Sequence, residues 1–164
     1  MRRLTASGVV VLVLTVGATA FAATRATSPP ASGVWRIVAD AADATPPIYD
    51  FKGTFTVSGG HITKLTGTIT HTYAHDEGCV TGTKIVVLGS QPIVHITAGG
   101  ADEYAVEKKA NGTTLPVSIR VKAGKQTTTG GLAIRFNTPG GFQSHSDLTF
   151  GNTIGCHLEF DVKR

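Results

Sequence analysis

Residues Phe51 to His71 set the pattern for the chain. Phe51, Gly53, Phe55 and Val57 alternate with Lys52, Thr54, Thr56 and Ser58. A period of two makes one face of a strand apolar and the other wet. Gly59-Gly60 follows, and two adjacent glycines accept the positive φ of a tight hairpin turn. Ile62, Leu65, Gly67 and Ile69 lead the chain back, with Ile62 out of phase with Leu65 and Ile69. That slip predicts a bulge near Thr63-Lys64. A hairpin cannot bury its own apolar face, so this one requires further strands.

The same rhythm recurs downstream. Gly33 to Ala39 reads as a strand with Trp35 and Ile37 on one face and Arg36 on the other; its single tryptophan is expected to anchor the core. Asp40 to Pro47 holds enough alanine for a helical turn, which Pro46-Pro47 would end. Strands are expected at Thr83 to Leu88, Ile93 to Thr97, Leu115 to Ala123, Leu132 to Phe136, Asp147 to Phe150 and Ile154 to Val162. Glu103 to Lys109 reads as an edge strand, because charges there discourage pairing with another molecule. Gly99-Gly100, Asn111-Gly112, Gly130-Gly131 and Pro139-Gly140-Gly141 read as breaks. The expected fold is all-β, an antiparallel β-sandwich of nine or ten strands, with a β-barrel as the alternative.

The first residues read as a segment outside the fold. Arg2 and Arg3 precede the apolar run Val9 to Val16, and Ala20-Phe21-Ala22 supplies small residues for cleavage. This is the pattern of a secretory signal peptide over residues 1–22. Ala23 to Gly33, small, polar and proline-bearing, is expected to be a disordered tether before a single domain over residues 34–164. Without residues 1–22, Lys and Arg fall from 15 to 13 against 11 Asp and Glu, leaving a charge of +2. So small a total gives no argument for nucleic acid or an anionic membrane as partner. The Arg-Arg signal and the Ala/Thr/Gly-rich mature chain are similar to small exported proteins of high-GC Gram-positive bacteria. That resemblance implies a secreted, extracellular protein, and it carries no activity motif.

Cys79 and Cys156 are the two cysteines. An oxidising compartment lets such a pair persist as a disulfide, worth roughly 4 kcal/mol of loop-closure entropy at this span.

The candidate chemistry is sparse. His71, His75 and Asp76, joined by His157 if the disulfide draws it in, contain the residue types of a metal site. Such a site needs imidazoles and a carboxylate converging within about 2 Å of one point, and a metal there would suit a small secreted hydrolase. Ser144-His145-Ser146-Asp147 holds the residue types of a catalytic triad, but neighbours on an extended chain point to opposite faces. No catalytic residue is assigned. Arg120, Lys122 and Lys125, with Arg135, form a basic stripe that reads as a solvated face with Glu103, Glu107 and Glu159 as neighbours. Asp40, Asp43 and Asp50 lack the spacing of a calcium loop, and Asn111-Gly112-Thr113 matches a glycosylation sequon. No cofactor is implied. The expected role is a non-catalytic extracellular binding or structural module whose partner is a cell-wall component or an extracellular protein. The alternatives are the metal-assisted hydrolase and an inhibitor or toxin presenting a loop such as Thr138 to Ser144.

Overall fold

The computed structural model describes residues 28–38, 51–71, 78–98, 101–136, 146–151 and 155–164. The signal segment 1–22, residues 23–27 of the expected tether, the alanine-rich stretch 40–47 and the glycine breaks at 99–100 and 139–141 lie outside them. Eleven strands occur among the described residues: β1 (Gly33–Val38), β2 (Phe51–Ser58), β3 (His61–Ile69), β4 (Lys84–Leu88), β5 (Gln91–Pro92), β6 (Val94–Ala98), β7 (Ala101–Ala110), β8 (Thr113–Ala123), β9 (Gln126–Arg135), β10 (Ser146–Phe150) and β11 (Cys156–Lys163). Every pairing is antiparallel.

The β2–β3 hairpin takes the expected form. Gly59 and Gly60 adopt φ values of 56° and 75°, the two positive angles of a type I′ turn. Thr54 pairs with Thr66 and Thr56 with Thr63, so β3 carries one extra residue there. Lys64 absorbs it at a φ of 54°. The bulge lets Ile62, Leu65 and Ile69 all face inward, at 1%, 2% and 1% exposure.

The strands run in the order β10-β11-β1-β2-β3-β4-β8-β9, and β9 pairs back onto β10. The ring is therefore closed. β7 wedges between β8 and β9 at one end, pairing Glu107 to Ala110 with β8 and Ala105-Val106 with β9. Counting it, nine strands make a closed barrel, with β5 paired to β3 and β6 to β7 outside the ring. The all-β antiparallel class is as expected, but the architecture is the barrel and not the sandwich. The cause is the pairing of Asp147–Phe150 with Gly130–Ala133, which leaves neither β9 nor β10 as a free edge.

Two local expectations are corrected. Gly130-Gly131 does not end a strand; it lies inside β9. A Cβ on Gly130 would stand 2.2 Å from the Thr149 carbonyl oxygen, and one on Gly131 3.1 Å from Pro116. The pair permits close strand approach where the wall curves. The true turn is Gly124-Lys125, between Ala123 and Gln126, with Gly124 at a φ of 58°. β7 is likewise not a free edge: β6 pairs with its first half, β8 with its last four residues, and at Ala105 it is held between Val94 of β6 and Arg135 of β9.

The interior is filled. Phe51, Phe55, Phe160, Leu132, Leu148 and Leu158 are all essentially inaccessible to solvent, as in small barrels packed by their own side chains. Trp35 is a core residue at 8% exposure. Its ring stacks on Phe55 at 6.3 Å and meets Phe136 edge-on at 5.1 Å. Its indole N–H donates to the Ala31 carbonyl at 2.9 Å, tying residue 31 to the barrel. Cys79 and Cys156 form a disulfide. It links the segment after β3 to the start of β11 and so crosses one mouth of the barrel, since β2 and β1 stand between those strands in the wall.

Candidate functional site

The disulfide-bearing mouth holds a cleft of about 670 Å³, within the usual range for small-molecule sites. Strand ends build it. Ile69 closes β3, Ala123 closes β8, and Phe150 closes β10. Gln126, Thr127 and Thr128 enter from the first residues of β9, and Gly78 and Val80 flank Cys79. Backbone bonds fix the rim. The Gly82 N–H donates to Ile69 O at 2.8 Å, the Ile69 N–H to Thr83 O at 3.0 Å, and the Thr83 N–H to Val80 O at 3.0 Å. The Gly124 N–H donates to Lys84 O at 2.9 Å. Val80 remains 63% exposed at this rim.

The lining is half apolar carbon and half neutral hydrogen-bonding groups. Ile69, Val80, Ala123 and Phe150 supply the first; the hydroxyls of Thr83, Thr127 and Thr128 and the Gln126 amide supply the second. Among the described residues none that lines the cleft is ionisable. The described lining residues suit a neutral or weakly polar molecule, which their apolar carbons would bury and their hydroxyls and amide would orient.

A second polar cluster lies on the outer side of β7 and β9. Arg135 stands opposite Ala105 in the register, so Glu103 and Glu107 reach it from the diagonal positions. The Arg135 Nε–H donates to Glu107 Oε1 at 3.0 Å, and its Nη1 lies 3.4 Å from Glu103 Oε1. The side chains are only 17%, 5% and 7% exposed for Arg135, Glu107 and Glu103. The expectation that these glutamates sit beside Arg120, Lys122 and Lys125 is thereby corrected. They are committed to Arg135, which is drawn away from the basic stripe.

The expected metal residues are partly placed. His71 is exposed after β3, and His75 and Asp76 lie outside the described residues. His157 meets Asp147 across the β10–β11 ladder, Nε2 to Oδ1 at 3.0 Å, with Glu159 Oε1 at 3.9 Å. Among the described residues no group of three or more His, Cys, Asp or Glu could hold a metal ion. Ser144 and His145 of the triad-like run, the loop Thr138 to Ser144, and Asp40, Asp43 and Asp50 lie outside the described residues. Ser146 is 1% exposed, and its Oγ accepts the Arg135 backbone N–H at 3.2 Å, while Asp147 goes to His157.

The cleft had no signature in the sequence. It exists because the ends of β3, β8 and β10, the start of β9 and the segment from Gly78 to Thr83 meet at one mouth, and only the cysteine pair hinted at that convergence. Comparison with family models, with curated proteins and with solved structures finds no match to this chain.

Proposed function

We propose that this protein is an extracellular, non-catalytic binding module, a closed β-barrel that takes a small, neutral ligand with both apolar and hydrogen-bonding surface in the cleft at its disulfide-bearing mouth. The observation that carries this reading is the lining: among the described residues, apolar side chains stand beside threonine and glutamine groups, and none of them is ionisable. Burial of apolar ligand surface would supply the affinity, and the hydroxyls and amide would set orientation. The extracellular part of the proposal rests on the N-terminal signal pattern. The disulfide is compatible with it.

A neutral apolar fluorophore, N-phenyl-1-naphthylamine, tests the site. The mature protein is expected to bind it saturably, one molecule per chain, with a blue-shifted emission. Thr128→Trp, which fills the cleft from β9, should abolish the signal while leaving the thermal midpoint within a few degrees. Non-saturable fluorescence, or binding that survives this substitution, would count against the cleft as the site.

A further inference from the structure

The barrel wall divides by charge. β1, β2, β3, β4, β8 and β9 are consecutive in the wall, and none of them contains an Asp or Glu. The acidic residues of the described strands lie on β7, β10 and β11. Asp40, Asp43, Asp50, Asp76 and Glu77 lie outside the described residues. From β2 to β8 the outward positions carry Lys52, Lys64, Lys84, Arg120 and Lys122, with Lys125 in the turn to β9, and all six are exposed. Among the described residues none of the six is in an ion pair. Glu103 and Glu107 are turned to Arg135, and Glu159 lies near His157.

Register spaces these cations. Lys52, Thr68 and Lys84 stand side by side on β2, β3 and β4, which sets the two lysines about 10 Å apart at two strand spacings. Lys122 is opposite Val86 of β4 and Thr127 of β9, and Arg120 is opposite Leu88 and Thr129. The result is a curved series of positive charges interleaved with threonines. A single small anion would meet only one or two of them. A chain with charges repeated along it would meet the series, releasing a counterion at each contact. The wall presents no outward aromatic ring for base stacking, because Trp35, Phe51 and Phe55 all face the core. A flat membrane would touch so convex a surface along one line, and of the exposed large apolar side chains Val34 and Leu115 stand on β1 and the far end of β8, while Val80 stands alone at the cleft rim.

We propose that the wall from β2 to β8 is a binding surface for a flexible linear polyanion, with phosphate groups repeated along a non-aromatic backbone. None of the six cations lines the cleft, but Lys84, Lys122 and Lys125 adjoin its lining residues Thr83, Thr127 and Gln126, so this surface borders the site proposed above.

Long-chain inorganic polyphosphate is the probe, and retention or affinity of the mature protein is the readout. Binding is expected at low salt and should weaken about tenfold or more between about 50 and 200 mM salt. Lys84→Glu/Lys122→Glu should cost at least about tenfold in affinity, since it removes two contacts and adds two repulsions. Lys108→Glu/Lys163→Glu, on β7 and β11, makes the same change in net charge and should leave affinity within about twofold if the surface, and not the total charge, does the binding. An unchanged thermal midpoint for both variants confirms that each is folded. The proposal is overturned by no binding to polyphosphate or by equal losses in the two double variants. Binding to phosphatidylglycerol vesicles without binding to polyphosphate would also overturn it, assigning the surface to a membrane.

Discussion

Gly53 faces Gly67 across the β2–β3 ladder. A Cβ on Gly53 would stand 2.2 Å from the Thr66 carbonyl oxygen, and one on Gly67 would strike the Phe51 ring at 2.5 Å. The ring lies over the bare backbone and fills the space that side chains would have taken. Gly59 serves another purpose. A Cβ there meets nothing within 4 Å, and only its φ of 56° is special. These differences predict opposite outcomes. Gly53→Ala should lower unfolding stability by about 3 kcal/mol, the upper end for forcing atoms into a packed site. Gly59→Asn should stay within about 0.5 kcal/mol, because Asn-Gly suits the same turn. Urea midpoints of the two variants decide it, and equal midpoints would refute the packing role of Gly53.

β7 is the element least like its sequence. Its alternating charges resemble the protection of an edge, yet they neutralise one partly buried guanidinium between two strands. Removing Arg135 takes away the cation that Glu103 and Glu107 face in a water-poor site. Arg135→Met should therefore cost about 3–5 kcal/mol, whereas breaking an exposed ion pair would cost under about 1 kcal/mol. Chemical denaturation measures the difference; a loss under 1 kcal/mol would mean that the cluster is solvated.

This strand also shows where a one-dimensional reading stops. The hairpin was legible because all its information is local: alternation, a glycine pair and a slip of phase at Lys64. The inner face of β11, with Cys156, Leu158 and Phe160 buried, was legible for the same reason. The dipeptide Gly-Gly, by contrast, makes a turn at 59–60 and a strand interior at 130–131. What separates them is the carbonyl of Thr149 and the ring of Pro116, far away in sequence. Arg135 and its glutamates depend on register in the same way, and so do the cleft and the acid-free wall.

Closure of the ring joins these features. Once β9 pairs with β10, the strand ends meet at one mouth, where the disulfide spans the opening and the cleft forms. The same closure makes the basic strands from β2 to β8 a continuous convex surface, with the acidic residues of the described strands on β10 and β11 and on β7 at one end of the barrel. An open sandwich would leave β9 and β10 as separate edges and would break the mouth apart. The most direct measurement is NMR of the isotopically labelled mature protein, combining cross-strand NOEs with amide exchange. A closed barrel predicts backbone NOEs linking Gly130–Ala133 to Asp147–Phe150, with slowly exchanging amides on both strands. Absence of those NOEs, with alternate amides of β9 and β10 exchanging freely, would contradict it.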